Sequence, residues 1–388
     1  MTIYEPREDT FLLAEQVKKH AFGKVLDMGT GSGYLAEAAS SSRKVKSVLA
    51  ADVNGEVVNF LKNKIKKENI KKIKPRKSDL FSNVKESFDT IIFNPPYLPL
   101  DTREPEDSRL TTTGGKKGHE VLQRFLLDLN SHLTKNGIAL ILFSSLTRKN
   151  KIDEIIDSIG YDFELLKEEK FGLETLYVYK LKRNWLLNEL LKKKITHIRK
   201  LTKGHRGVIF RGELNKKLVA IKAQRLDIRV RTIEREADMV KKLNKKGLAP
   251  KLLFKGKNYF IYEYVPGELI VDFLKHSNKT ETKKVLLEVL MQCRVLDKMK
   301  ISKKEMTNPY KHVIISKKIA LIDFERAHYS PNPGNVTQFC QYIMRNHDLL
   351  SRKGIKFNKN ELIFLAKEYK NNQTGSNYKK IRSFVLAF

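Results

Sequence analysis

Val25-Leu26-Asp27-Met28-Gly29-Thr30-Gly31-Ser32-Gly33 joins a short apolar run to a turn with glycine at every second position. Such a stretch reads as a strand that ends in a loop and opens a helix. Its glycines let the backbone approach a ligand closely, and the helix N-terminus offers unpaired N–H groups. The GxGxG spacing differs from the GxGxxG of dinucleotide sites. Outward from this loop, Ser47 to Ala51 is an apolar run ending at Asp52, Thr90 to Phe93 ends at Asn94, and Ile138 to Phe143 is a fourth run. Helical segments such as Glu56 to Lys67 and Val121 to Leu133 lie between them, and this alternation predicts an α/β domain with a parallel sheet. Gly172 to Lys182 reads as a last, antiparallel strand, and the pattern ends near Arg183-Asn184.

In an open α/β sheet the carboxyl ends of the strands face the ligand crevice. Asp52 is thereby placed to accept ribose hydroxyls, and Asp79, in Ser78-Asp79-Leu80-Phe81, to accept an adenine amino group; taken singly, either acid also reads as a helix N-cap. Asn94-Pro95-Pro96-Tyr97 follows the strand Thr90 to Phe93. Two prolines fix a rigid turn, which holds the Asn94 side-chain oxygen and the Pro95 carbonyl side by side. Paired acceptors of this kind bind an NH2 group on a planar conjugated system and direct its lone pair at an electrophile, while Tyr97 stacks on the plane. In isolation the same residues read as an Asn-Pro turn beside a core tyrosine.

The chain has 388 residues, enough for two domains. With 41% hydrophobic and 31% charged residues, its composition excludes collagen-like and disordered classes. No apolar run approaches the roughly 18 residues of a bilayer span, so no membrane association is expected. Two cysteines, Cys293 and Cys340, make no disulfide scaffold, and the N-terminus has no apolar signal segment. The expected compartment is the cytoplasm. The net charge is +32, with 31 Lys/Arg against 26 Asp/Glu in residues 1–183 and 45 against 18 in the remainder. The basic second half points to RNA or the ribosome as a contact, against the alternative of solvated lysine faces.

The first half resembles the HemK-like class I AdoMet-dependent methyltransferases, whose hallmark is the NPPY turn, over most of residues 1–183. Tyr4-Glu5-Pro6-Arg7-Glu8-Asp9-Thr10 and Gly114-Gly115-Lys116-Lys117-Gly118-His119-Glu120 resemble the branch that methylates the glutamine of the GGQ loop in peptide-chain release factors. The resemblance implies a Rossmann-like domain over 1–184, with S-adenosyl-L-methionine held by Asp27, Gly29, Gly31, Gly33, Asp52 and Asp79. It also implies that Asn94, Pro95 and Tyr97 orient the acceptor, and that a separate small zinc-ribbon activator subunit is a partner. NPPY is shared with N6-adenine methyltransferases of RNA or DNA, because adenine presents the same kind of amine.

After an amphipathic segment, Trp185 to Lys194, strands come first and helices later, which predicts an α+β domain over 195–388. Val219-Ala220-Ile221-Lys222 matches the kinase strand whose lysine meets nucleotide phosphates, and Glu236 is its partner by position. Gly204 and Gly207, in Lys203-Gly204-His205-Arg206-Gly207, lie where a phosphate-covering loop belongs. Ile261 to Gly267 reads as a hinge, and Asp323 in Ile322-Asp323-Phe324 as the Mg2+ ligand. In this order, within 201–330, the motifs resemble the small RIO-like atypical protein kinases, which implies a two-lobed fold binding ATP and Mg2+. The catalytic loop departs from that pattern. Thr307 falls on the catalytic aspartate and His312 on the metal-binding asparagine, which leaves a protein kinase, an ATPase and a docking pseudokinase open.

Overall fold

The alternating runs of the first half form one seven-stranded sheet. In chain order the elements are α1 (Glu8–His20), β1 (Gly23–Met28), α2 (Tyr34–Ser40), β2 (Val45–Asp52), α3 (Gly55–Glu68), β3 (Ile73–Lys77), β4 (Phe88–Phe93), α4 (Glu106–Thr112), α5 (Glu120–His132), β5 (Leu133–Ser144), α6 (Lys149–Ser158), β6 (Tyr161–Phe171), β7 (Glu174–Arg183) and α7 (Trp185–Lys192). The strand order is β3-β2-β1-β4-β5-β7-β6. The first five run parallel, and β7 is antiparallel to both β5 and β6. Val25 and Leu26 of β1, Ile91 and Ile92 of β4 and the apolar stretch of β5 are buried, as befits strands covered on both faces. Leu13 and Val17 of α1, Ala36 and Ala39 of α2 and Leu61 of α3 belong to this core. It is the Rossmann-like fold that the sequence leads one to expect.

Register decides where the loops emerge. Met28 lies beside Ala51 on one side and Phe93 on the other, and Asp52 lies beside Lys77. The segments that follow β1, β2, β3 and β4 therefore leave the sheet along one edge. Because β2 and β3 lie to one side of β1, and β4 and β5 to the other, the strand order reverses between β1 and β4, the place where open α/β sheets bind ligands.

Two strands escape the sequence pattern. β3 is short, and β6 (YDFELLKEEKF) carries charges at a density that disguises a strand. β6 is the sheet's edge and is exposed along most of its length; charge there blocks pairing with another chain.

The structure describes residues 4–205, 207–225 and 232–388, so Arg206 of the glycine loop lies outside the described residues. The chain divides into two units, Met1–Leu201 and Thr202–Phe388. This division is later than the expected 184–195 because α7 and the start of the next strand group with the first unit. That strand, β8 (Thr196–Lys203), is the edge of a five-stranded sheet with β9 (Gly207–Leu214), β10 (Lys217–Gln224), β11 (Leu252–Lys255) and β12 (Tyr259–Glu263), ordered β11-β12-β10-β9-β8. Helix α8 (Ile233–Asn244) follows β10. Helices Lys279–Lys298, Asn335–Arg345, Lys359–Asn371 and Gly375–Leu386 then supply Val289, Phe339, Tyr369 and Ile381 to the second core. Strands precede helices, as the sequence predicts. Among the described residues no helix is long and apolar enough to cross a membrane.

Candidate active site

A cavity of about 1160 Å³ opens along the carboxyl edge of the first sheet, lined by Gly29, Gly31, Asp52, Asp79, Asn94, Pro95 and Tyr97 among others. It exceeds the usual 300–1,000 Å³ of a small-ligand pocket, which leaves room for a cofactor and an acceptor side chain together. Gly29 and Gly31 both take positive φ, at 64° and 51°, a conformation glycine adopts without strain. The loop is pinned from three directions. Thr30 N donates to Ala51 O at 3.0 Å, Thr30 Oγ1 to Asp27 Oδ2 at 2.6 Å, and Gly31 N to Asp52 Oδ2 at 3.0 Å. Asp52 Oδ1 also accepts from Asn54 N at 2.9 Å, so this acid ties the loop to the end of β2 while facing the cavity. Burial raises its pKa.

Two residues expected to hold the cofactor do not line the cavity. Asp27 is wholly buried and braces the loop from beneath; burial pushes its carboxyl up to about 7. Gly33, at φ 84°, precedes α2, and a Cβ there would stand 2.6 Å from Leu61 Cδ1. Its role is close packing of α2 against α3. Asp79 does line the cavity, where it is half exposed and paired with Arg124 at 2.8 Å.

Asn94 lines the same cavity. Its Nδ2 donates to Asp9 Oδ2 at 2.9 Å, and the same carboxylate accepts from the Tyr4 hydroxyl at 2.9 Å and from Thr10 N at 2.6 Å. An ionised carboxylate only accepts hydrogen bonds, so Asp9 fixes which end of the Asn94 amide faces away. The other end, Oδ1, is sealed from solvent and has no partner. Leaving a buried acceptor unsatisfied costs about 1–3 kcal/mol, a cost that an incoming N–H donor removes. The sequence leaves Asp9 and Tyr4 without a role, because Asp9 meets Asn94 across 85 positions and Tyr4 bonds to Asp9.

The turn that carries Asn94 is buttressed by the Gly114–Gly118 segment. Leu98 N donates to Thr112 O at 2.8 Å and Gly114 N to Leu98 O at 2.9 Å. A Cβ on Gly114 would lie 2.6 Å from Pro96 O and 2.2 Å from Gly118 O. Backbone therefore packs on backbone here, which explains why glycines stand at these positions. Tyr97 is half buried, and burial first, then the charges of Asp9 and Glu174, raise its pKa, so the phenol stays neutral.

The second unit gathers its own buried charged cluster. Lys222 on β10 donates to Glu236 Oε1 on α8 at 2.8 Å and to Asp323 Oδ1 at 2.7 Å. Burial works against the lysine's charge, but the two carboxylates outweigh it and raise its pKa. Glu236 also accepts from Phe324 N at 3.0 Å. Gly207 sits over this lysine, since a Cβ there would be 3.2 Å from Lys222 Cε, and Gly204 N closes the β8–β9 turn on Gly207 O at 2.8 Å. Asp323 has φ 59°, a left-handed conformation uncommon outside glycine. A wholly buried Lys303, without a role in the sequence reading, donates to the carbonyls of Ile322 at 2.9 Å and Asp323 at 2.5 Å. His312 Nδ1 is 3.6 Å from Asp323 Oδ2. Glu236, Asp323 and Glu325 offer carboxylate oxygens within 4.8 Å of one another, and the cavity beside Lys222 measures about 20 Å³.

The family described as Methyltransferase small domain matches residues 8–172. An inferred protein N5-glutamine methyltransferase of Methanocaldococcus jannaschii is 37% identical over 178 residues, which are 45% of this chain and 89% of the relative. The eRF1 methyltransferase catalytic subunit mtq2 of Schizosaccharomyces pombe is 28% identical over 47% of this chain and 89% of its own length. Among solved structures, the Mtq2-Trm112 complex of E. cuniculi aligns to 47% of this chain and 100% of the matched chain, at 28% identity and a TM-score of 0.38. With a glycine loop, a strand-end acid and a fixed Asn-Pro-Pro-Tyr turn around one cavity, the chain belongs through its first unit to the N5-glutamine methyltransferase family and is an AdoMet-dependent methyltransferase.

Proposed function

We propose that the first unit methylates the side-chain amide nitrogen of a glutamine in the GGQ loop of a peptide-chain release factor. The observation that carries this reading is the Asn94 amide on the cavity lining, its Nδ2 held by Asp9 and its Oδ1 buried without a partner. The residues present fit S-adenosyl-L-methionine: Gly29 and Gly31 clear the backbone side, Asp52 meets ribose hydroxyls and Asp79 the adenine amine. When bound, the cofactor supplies an electrophilic methyl group. Asn94 Oδ1 and the Pro95 carbonyl accept the two N–H groups of the acceptor amide, which fixes the amide plane and leaves the nitrogen lone pair perpendicular to it, with Tyr97 packed on the opposite face. Positioning of this kind accounts for a large share of a transfer barrier. The mtq2 relative acts on eRF1 by its name, which supports a release factor as substrate, with a small zinc-ribbon activator as a separate partner chain.

Asn94→Ala tests the assignment. Methyl transfer should be lost while the AdoMet dissociation constant stays within about twofold, because Asn94 acts on the acceptor and the loss falls in the chemical step. Equal weakening of AdoMet affinity would contradict it.

For the second unit we propose a RIO-like kinase domain that binds ATP and Mg2+, with Lys222 and Glu236 at the phosphates, Asp323 at the metal, and Gly204 and Gly207 in the covering turn. The buried Lys222–Glu236–Asp323 ion cluster supports this reading. Calorimetry with millimolar ATP and Mg2+ should show binding that Asp323→Ala removes; heat of binding without Mg2+ dependence would argue against it. The excess of positive charge in this half supports an RNA or ribosome contact.

A further inference from the structure

Glu174 opens β7 and lines the same cavity as Asn94 and Tyr97. Its Oε1 is sealed from solvent and accepts no hydrogen bond. On the same cavity, Arg109 places a second orphan: its Nη2 donates to Thr102 O at 2.8 Å, while its Nε is buried without a partner. Neither group belongs to the glycine loop or to the strand-end acids that would hold the cofactor. An unsatisfied carboxylate oxygen calls for an N–H and an unsatisfied guanidinium N–H for a C=O, the two kinds of partner that a polypeptide main chain offers. Apolar lining from Leu110 and Phe171 suits a polypeptide better than a phosphodiester backbone. A carboxylate beside the acceptor also repels phosphate, whose attraction dominates nucleic-acid binding.

We propose that Glu174 is a specificity-determining residue: its Oε1 accepts a main-chain N–H of the acceptor polypeptide beside the reacting amide, and its charge disfavours phosphate-bearing acceptors. The inference rests on the glutamine reading above. Glu174→Ala deletes both effects. Glu174→Gln keeps an acceptor oxygen and removes only the charge.

The test uses the full chain, purified release factor, labelled AdoMet and a short single-stranded adenine-containing oligonucleotide. Glu174→Ala should raise KM for release factor about tenfold or more, the loss expected for one hydrogen bond to a charged group, with a smaller change in kcat. Glu174→Gln should keep most of the wild-type KM. Both variants should bind the oligonucleotide more tightly than the wild type in fluorescence anisotropy. Calorimetry should find the same AdoMet affinity in all three proteins, which excludes misfolding as the cause. An unchanged KM in Glu174→Ala overturns the inference, as does oligonucleotide binding unaffected by either substitution, even though release factor is still methylated. Wild-type enzyme that labels the oligonucleotide and leaves release factor unlabelled overturns the glutamine reading itself, and the inference with it.

Discussion

Asp9→Ala removes a residue that the account places outside the chemistry and yet makes responsible for its rate. Asp9 receives Asn94 Nδ2 at 2.9 Å, the Tyr4 hydroxyl at 2.9 Å and Thr10 N at 2.6 Å. Without the carboxylate, the two faces of the Asn94 amide differ little in energy, and the flipped form presents an NH2 group to the acceptor's own NH2. A hydrogen bond to a charged acceptor contributes about 1.5–3 kcal/mol, and each 1.36 kcal/mol is a tenfold change in rate. Loss of this single orienting bond should lower kcat about 10- to 100-fold. Single-turnover kinetics with saturating AdoMet would read the chemical step directly, and calorimetry should show AdoMet affinity within about threefold of the wild type. The double variant Asp9→Ala/Asn94→Ala should be no slower than Asn94→Ala alone, because the two residues act as one device and their effects do not add. A kcat equal to the wild type, or additive losses in the double variant, would refute the orienting role.

Asp52→Ala should raise the AdoMet dissociation constant about 10- to 100-fold through loss of its hydrogen bonds, measured by calorimetry, with a smaller effect on kcat at saturation. Gly114→Ala drives a methyl against Pro96 O and Gly118 O, so the Asn94 turn must move; methyl transfer should fall by about 100-fold, as misplacement near 1 Å does, and an unchanged rate would remove the buttress from the account. Burial lifts the Asp27 carboxyl from 3.8 to about 7 in the folded chain, so the native state binds more protons than the unfolded one. The contribution therefore favours folding below pH about 4 and is lost as pH rises toward 7; in thermal melts Asp27→Asn should gain on the wild type at pH 8 relative to pH 5. Lys222→Ala leaves Glu236 buried without its cation, which should destabilise the second unit by about 3–5 kcal/mol as well as abolish ATP binding, read by denaturant melts and calorimetry.

Local chemistry made the first site legible. The glycine loop, Asp52 and the Asn94 turn each announce a backbone or side-chain requirement within a few residues, and strand alternation places them on one sheet edge. Whether a residue faces the cavity or lies beneath it is set by packing, which is why Asp27 and Gly33, read as cofactor contacts, lie outside the cavity lining. Long-range partners leave no local trace. Asp9 meets Asn94 only because the first turn of α1 lies against the turn that follows β4, Glu174 reaches the cavity only because β7 doubles back beside β5, and the buried Lys303 looks like one more member of a lysine-rich surface. β6 hid for a different reason, since edge strands carry the charges that helices also favour.

The acceptor decides the account. Purified release factor, the same factor with the glutamine of its GGQ loop replaced, ribosomal RNA and DNA should be offered in parallel to the full chain with labelled AdoMet. Label on the release factor that disappears with the glutamine and survives nuclease treatment is the predicted result. Label that persists after the glutamine is replaced would contradict the assignment, and label that persists and is also lost with nuclease would make adenine the acceptor.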